Sequence, residues 1–517
     1  MIGNLGIWPA GKDNLISELQ RILKSTHFCG QESPETARLG LLLARFNDKV
    51  RFVIEFPYVD RHYRDTYYSL HSAKFNKIGR DCIRVHLFHG EVTEADLSNK
   101  ENRLDKRYRG FFIIRPLMYY ILGRSLISPE AFKEKEREYV CCLMKARVSL
   151  LGNEFTVHGF PHVAQDEESH TCAESALWSY IEYFGSKYPQ YKPLLPSQII
   201  KTLVDNAERR LLPSEGLNAI ELAKCLQNNG FQCRIYRLDF KSDTKVSENS
   251  MIRVLQIYIE SGIPLLLNLG GGGHGHAVLA IGHEENDSLY DAQNHPFPEG
   301  DSWTDVSGFN KRLVLIDDNM PPYQIADIAR PTVHYSDPEL SNMGIESFIV
   351  SFPVHMFLVA EKAYALTEKI FNTKKVGLQT NGGKWITRLF LTGSRSFKNF
   401  VFKDDDKLEP GLKKRLLRLP MPKFIWVCEV YKAHEYSKNG CCSGLLIIDA
   451  TGDKKALASV LWYAVDKDIF IHNNVSWDEK ASEKMRVPFR MRTYRNNLKG
   501  AWNQYGSNGR IEYPAKY

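Results

Sequence analysis

The sequence lacks the features that mark secreted and membrane-spanning proteins. Its first residues, MIGNLGIWPAGKDN, have no basic start, apolar run and small-residue cleavage site of the kind found in signal peptides. The most apolar stretch, Ile263–Ile281, is interrupted by Pro264, Asn268, glycines and histidines, so it falls short of the roughly 20 apolar residues that cross a bilayer. We therefore expect a cytoplasmic protein with no membrane partner.

Cysteine pairs with metal-site or redox spacing are also missing. No two cysteines form a Cys-x-x-Cys pair, so a zinc ribbon or a thioredoxin-like site finds no support. The cysteines are Cys29, Cys82, Cys141, Cys142, Cys172, Cys225, Cys233, Cys428, Cys441 and Cys442. In a large chain without a secretion signal, most of them should be reduced core residues, and a chemical role for any one needs a special local context.

The chain has 517 residues, which is too long for a single hydrophobic core. Its composition, 43% apolar and 25% charged, is that of a globular protein. Shifts in composition predict three parts: a mixed α/β module over 1–150, a central domain over 151–373 and a β-rich basic module over 374–517. Apolar runs predict strands at Val50–Val59, Cys82–Phe88 and Gly110–Leu117, and a helix is expected over Leu457–Val465. The polar segment Glu284–Lys311 is expected to be a long loop that covers a site.

The context of Cys172 is special. Thr171 and Glu174 have the spacing of a capping box, and apolar residues then recur on one helix face. The helix should therefore begin at Thr171, with Cys172 in its first turn, where free backbone N–H groups and the helix dipole stabilise a thiolate. Gln165 is a candidate to donate a hydrogen bond to an oxyanion, with Ser169, His170 or a backbone N–H as alternatives.

A second and a third segment supply a base and a group to orient it. A buried strand from Pro264 leads into a glycine run, and His276 opens the next buried strand. A third buried strand ends in Asp317, Asp318 and Asn319. We expect Asp318 to hold the imidazole of His276, with Asp317 next and Asn319 third.

The chain resembles the papain-like cysteine peptidases in the order of three features. These are a cysteine at a helix start, Gly-His-Ala at a strand start and Asp at the end of the next strand. The similarity is greatest to the bacterial peptidases that process double-glycine bacteriocin leaders, and it covers roughly residues 160–330. The resemblance implies an α+β fold in which the helix bearing the cysteine packs on an antiparallel sheet. In this chain, Gln165 lies one residue farther from Cys172 than in papain-type enzymes, and 42 residues separate His276 from Asp318.

The glycine run is also compatible with other chemistry. No Gly-Lys-Ser/Thr follows Gly273, so a phosphate-binding loop is disfavoured. His274 and His276 could ligate a metal with His283 or Asp318, and Cys172 would make a fourth ligand. A packed hairpin without catalysis is the remaining alternative.

The basic C-terminal part suggests a function of another class. Lys484–Tyr517 holds 8 Lys and Arg against 1 acidic residue, and Lys384–Lys423 holds 11 against 4. The first of these segments interleaves basic and aromatic residues that could follow a nucleic-acid backbone and stack bases, or bind an acidic protein. They are Arg486, Phe489, Arg490, Arg492, Tyr494, Arg495 and Lys499.

We therefore expect a thiol hydrolase that cleaves a peptide or isopeptide bond through Cys172, His276, Asp318 and Gln165. Its substrate would be a protein or peptide, and it needs no cofactor and no metal. Deamidation or acyl transfer by the same site is an open alternative. A catalytically silent papain-like scaffold, binding a protein or nucleic acid through its basic module, is the other.

Overall fold

The computed structural model describes residues 6–25, 36–99, 104–133, 138–204, 211–212, 214, 216–238, 245–271, 274–285, 301–308, 312–373, 377–378, 383–403, 405–436, 440–452, 460–470 and 482–501. This part of the chain forms a mixed α and β structure with three large sheets. All but one of the strand pairings in those sheets are antiparallel.

The N-terminal sheet has seven strands in the order β1-β2-β3-β4-β5-β8-β7. The strands are β1 (Gly6–Ala10), β2 (Val50–Tyr58), β3 (Cys82–His89), β4 (Tyr108–Ile114), β5 (Leu122–Ile127), β7 (Met144–Leu150) and β8 (Asn153–Val163). The helices of this part are α1 (Lys12–Ser25), α2 (Ala37–Arg45), α3 (Arg61–Ser69) and α4 (Glu94–Ser98). The strands expected at Val50–Val59, Cys82–Phe88 and Gly110–Leu117 are confirmed as β2, β3 and β4.

The central sheet runs β14-β13-β11-β10-β15-β9, with β6 beside β11 and β24 beside β6. Its strands are β6 (Tyr139–Cys141), β9 (Gln232–Arg237), β10 (Leu265–Gly271), β11 (His274–Glu284), β13 (Arg312–Ile316), β14 (Gln324–Asp327), β15 (Gly344–Phe352) and β24 (Lys499–Ala501). The helices of the central part are α5 (Cys172–Lys187), α6 (Pro196–Leu203), α7 (Ala219–Asn228), α8 (Lys245–Glu260), α9 (Pro338–Ser341) and α10 (Ala360–Phe371).

The C-terminal sheet has the order β12-β16-β17-β19-β20-β21-β22, and a two-stranded ribbon joins β18 to β23. The strands are β12 (Trp303–Asp305), β16 (Trp385–Gly393), β17 (Phe424–Lys432), β18 (Cys441–Cys442), β19 (Gly444–Asp449), β20 (Val460–Val465), β21 (Asp468–Phe470), β22 (Ser482–Lys484) and β23 (Met491–Arg492). Two helices, α11 (Ser394–Lys403) and α12 (Pro410–Arg418), accompany it. A helix was expected over Leu457–Val465, and this is wrong where the structure describes that segment, because Val460–Val465 is the strand β20.

The three parts exchange strands across the boundaries expected at residues 150 and 373. β8 lies beyond residue 150 and still belongs to the N-terminal sheet, whereas β6 precedes residue 150 and pairs with β11. β12 comes from the expected cover loop and pairs in parallel with β16, and β24 returns to the central sheet. Most of the expected cover, residues 286–300 and 309–311, lies outside the described residues.

Helix α5, which begins at Cys172, packs against two sheets. It contacts β8 of the N-terminal sheet and β11 of the central sheet. Its buried side chains, among them Leu177, Tyr180, Ile181 and Phe184, belong to the largest hydrophobic core. Because both sides of the helix are packed, its first turn is held in place relative to β11.

Candidate active site

Cys172 is the first residue of α5, as the capping pattern indicates. Thr171 precedes it in an extended conformation, and the carboxylate of Glu174 accepts hydrogen bonds from the Thr171 backbone N–H (3.1 Å) and hydroxyl (2.6 Å). The hydroxyl of Ser214 donates a further bond to Glu174. Cys172 is a partly exposed free thiol at the helix end, where backbone N–H groups lack intrahelical partners.

A buried carboxylate fixes the loop that leads into this helix. Asp166 accepts the backbone N–H groups of Glu168 (3.0 Å), Ser169 (2.7 Å) and His170 (3.1 Å). Burial alone would raise the pKa of Asp166, but His170, the nearby Arg115 guanidinium and these hydrogen bonds hold it well below its ordinary value. The buried Asp166 carboxylate therefore fixes the conformation of this loop.

Arg115, a buried residue of the N-terminal part, adds a second restraint. It donates to the backbone carbonyl of Gln165 (3.0 Å) and lies 3.8 Å from the Asp166 carboxylate. The sequence carried no signal for this contact, because 50 residues separate Arg115 from Gln165. The N-terminal part thus helps to position the segment that precedes Cys172.

His276 and Asp317 form the buried pair of the site. The Nε2 atom of His276 lies 3.0 Å from Oδ1 of Asp317, whereas the nearest oxygen of Asp318 is 3.9 Å away. The side chain of Cys172 is among the neighbours that raise the pKa of His276. Since Nε2 is engaged with Asp317, Nδ1 is the nitrogen left to meet the thiol.

The strand register explains why Asp317 and not Asp318 reaches the imidazole. In the pairing of β11 with β13, Leu279 lies opposite Ile316. Side chains alternate along a strand, so the next residue, Asp317, continues on the face that carries His276. The structure thus joins Cys172, His276 and Asp317, with Asp318 beside them.

The side chains of Tyr335 and His334 cover this pair. The hydroxyl of Tyr335 donates to Oδ2 of Asp317 (2.7 Å) and lies 3.2 Å from Nε2 of His276. Nε2 of His334 is 3.5 Å from the same Asp317 oxygen. The sequence carries no signal for either residue, because nothing in it distinguishes this loop from its surroundings.

The pKa values of the Asp317 and Asp318 carboxyl groups are shifted in opposite directions. Burial opposes the imidazolium form of His276, but Asp317 and the hydrogen bonds outweigh burial and raise the pKa of His276 well above its ordinary value. Burial also disfavours a charged Asp317, yet His276 and its hydrogen-bond donors lower the pKa of Asp317. Burial, reinforced by the charge of Asp317, raises the pKa of Asp318 to about 7. Asp317 is therefore the charged partner of His276.

The side-chain amide of Gln165 is hydrogen-bonded to Asn319. Its amide Nε2 donates to Oδ1 of Asn319 at 2.5 Å, and Arg38 donates to the same oxygen at 3.2 Å. Of the other oxyanion candidates, Ser169 is buried and donates its hydroxyl to Asp166, and His170 is buried. Gln165 therefore lies beside the loop that carries Asp317.

The metal set considered from the sequence is not assembled. His274 is exposed at the start of β11, and His283 is buried near its far end, 2.9 Å from Glu260. A different group comes together instead: ligand atoms of His276, Asp317 and Asp318 all lie within 4.8 Å of one another.

The aromatic residues of the basic C-terminal segment are core residues. Phe489 and Tyr494 are 2% and 1% exposed, so neither presents a ring on which a base could stack. Arg492 forms an ion pair with Asp406 (2.7 Å), and Arg495 pairs with Glu285. Among the described residues, this part of the chain therefore lacks the stacking surface that the sequence suggested.

The nine cysteines in the described ranges are free thiols. In the same ranges, no helix combines the length and apolar character that crossing a bilayer requires.

A scan against protein-family models and a search of curated proteins found no match for this chain.

Proposed function

We propose that this protein is a thiol hydrolase that cleaves an amide bond of a protein or peptide through an acyl-enzyme formed on Cys172. The observation that carries the proposal is the convergence of Cys172, His276 and Asp317 from three separate segments. A nucleophile that contacts a base, held in turn by a buried carboxylate, is the arrangement that activates a thiol. A papain-like mechanism accounts for each of these contacts.

In this mechanism, the thiol proton of Cys172 passes to Nδ1 of His276, and the thiolate attacks the carbonyl carbon of the substrate. The first N–H groups of α5 lie beside the oxygen that becomes negative and stabilise it. The imidazolium then gives its proton to the leaving amine, which departs and leaves a thioester on Cys172. A water molecule, deprotonated by His276, hydrolyses the thioester and restores the thiol.

Asp317 takes the role expected for Asp318. Its bond to Nε2 fixes the tautomer in which Nδ1 accepts the thiol proton, and it stabilises the imidazolium that follows. Gln165 is proposed as a second oxyanion donor, which would require its amide to leave Asn319 when a substrate carbonyl enters.

The test compares the full chain with its Cys172→Ala variant on a mixture of synthetic peptides, followed by mass spectrometry. Hydrolysis yields new peptide termini, and deamidation of glutamine or asparagine yields products about 1 Da heavier. We expect at least one product that forms with the wild-type chain and not with Cys172→Ala. If the two chains give the same products on peptides and on isopeptide-linked substrates, the proposal fails.

The rival function, nucleic-acid binding by a silent scaffold, has no comparable observation behind it. The ring systems that would stack on bases are buried. Two of the arginines are neutralised by acidic neighbours.

A further inference from the structure

The carboxyl group of Asp318 has no role in the mechanism above. It is 5% exposed, and neither of its oxygens has a hydrogen-bond partner among the described residues. Burying a carboxyl group without a partner costs free energy, so such groups are uncommon in proteins unless a ligand satisfies them. One of its oxygens faces Nε2 of His276 at 3.9 Å.

The geometry around Asp318 is that of a small cation site. Nε2 of His276, an oxygen of Asp317 and an oxygen of Asp318 lie within 4.8 Å of one another. Zinc binds nitrogen and carboxylate oxygen at about 2.0–2.2 Å, which in a tetrahedron separates the ligand atoms by about 3.4 Å. The observed separations from Nε2, 3.0 and 3.9 Å, bracket that value. Small rotations of the two carboxylates would therefore be enough to complete the site.

The surroundings orient the candidate ligands. Tyr335 donates to Oδ2 of Asp317, and the backbone N–H of Asn319 donates to Oδ1 (3.0 Å), so the carboxylate is held with Oδ1 toward His276. Asp318 also lines a cavity between α2 and the loop after β13, where Leu41, Leu42 and Phe112 form apolar walls. Arg38 lines the same cavity and opposes a cation there. The imidazole ligand favours zinc-like ions over magnesium or calcium, which prefer all-oxygen sites.

We propose that His276, Asp317 and Asp318 bind a divalent transition cation, Zn²⁺ being the probe of choice, and that its binding switches the thiol site off. The consequence rests on the proposed function, whereas the binding itself does not. Starting from the imidazolium–thiolate pair, the ion takes Nε2, whose proton leaves to solvent, and Nδ1 keeps its proton. The thiolate has then lost its imidazolium partner and takes up a proton from solvent at neutral pH. Because Nδ1 already carries a proton, it cannot accept the proton of the Cys172 thiol, and His276 no longer acts as its base.

The binding test uses the full chain carrying Cys172→Ala, which keeps all three ligands and removes the adjacent thiol. Calorimetric titration with Zn²⁺ should show one ion bound at this site. Adding Asp318→Asn should weaken that binding at least about 10-fold, the scale on which damage to a metal site acts. Asp327→Asn on β14 is the matched control and should leave the affinity unchanged. Cobalt in place of zinc should give a spectrum without a thiolate-to-cobalt charge-transfer band.

A second experiment measures iodoacetamide labelling of Cys172 with and without Zn²⁺, in the chain with native Cys172 and in its Asp318→Asn variant. We expect Zn²⁺ to slow labelling in the first, a chelator to restore it, and the variant to lose this sensitivity. If Cys172→Ala binds no ion, or binds it equally well with Asp318→Asn, the inference is overturned while the thiol hydrolase stands. If the ion binds as expected but Cys172 proves unreactive, the metal site stands and the proposed function fails.

Discussion

Replacing Asp317 with asparagine tests which of two neighbouring carboxyl groups supports the base. Asp317 lies 3.0 Å from His276 in a buried site, and a hydrogen bond to a charged group contributes about 1.5–3 kcal/mol. Since 1.36 kcal/mol corresponds to a factor of ten, Asp317→Asn should reduce the population of the imidazolium–thiolate pair roughly 10- to 150-fold. Asp318→Asn should have a much smaller effect. At pH 6, the carboxyl group of Asp318 is largely protonated, because its pKa is raised to about 7, and asparagine is a neutral group of similar shape.

The assay is the rate of iodoacetamide alkylation of Cys172 between pH 5 and 9, which needs no knowledge of the substrate. With native Asp317, the raised pKa of His276 favours the imidazolium that accompanies the thiolate, so Cys172 should already be reactive at acid pH, well below the pKa of about 8.5 of an ordinary thiol. In Asp317→Asn, the imidazolium loses this support, so the thiolate should form only at higher pH and labelling should fall most at acid pH. If Asp318→Asn slows alkylation at pH 6 more than Asp317→Asn does, the assignment of Asp317 is refuted.

Two further variants test other parts of the structure. Tyr335→Phe removes the hydroxyl that donates to the charged Asp317 carboxylate (2.7 Å) and lies 3.2 Å from Nε2 of His276. A hydrogen bond to a charged group contributes about 1.5–3 kcal/mol, so alkylation of Cys172 should slow by up to roughly 150-fold without unfolding of the chain. Glu260→Gln breaks the buried ion pairs with His283 (2.9 Å) and Arg388 (3.1 Å) and should cost about 3–5 kcal/mol of unfolding free energy in denaturant titrations near pH 7. Burial opposes a charged Glu260, but these two cations lower its pKa to about 2, so the loss should be full above about pH 4.5 and fade as pH falls toward 2; a pH-independent difference would contradict this.

Local patterns predicted the start of α5 correctly. The Thr171–Glu174 pair and the helical periodicity lie within one stretch of chain, so neighbouring residues decide the structure. The strands that carry His276 and lead to Asp317 were predicted for the same reason, since each is a short apolar run bounded by turn residues.

The choice between Asp317 and Asp318 depends on information that the sequence does not hold. Strand register sets which side chain shares a face with His276, and register is a property of the pair of strands. The contact of Arg115 with the loop before Cys172 likewise joins distant segments. Such contacts follow from the tertiary fold and leave no local pattern.

The error over Leu457–Val465 has a related cause. Short apolar runs do not distinguish a buried strand from a buried helix by periodicity alone. Val460–Val465 pairs with β19 and β21 inside a sheet, and its β-branched and aromatic side chains suit that position.

The central claim is that His276 activates Cys172. The measurement that tests it most directly is alkylation of the intact chain by iodoacetamide across pH, read by mass spectrometry at each of the ten cysteines and repeated with His276→Ala. We predict that Cys172 is alkylated far faster than the other cysteines at neutral pH, and that His276→Ala removes this advantage. Activation of Cys172 by His276 is contradicted if Cys172 reacts no faster than the other partly exposed cysteines, Cys233 and Cys441. It is also contradicted if Cys172 reacts equally fast in His276→Ala.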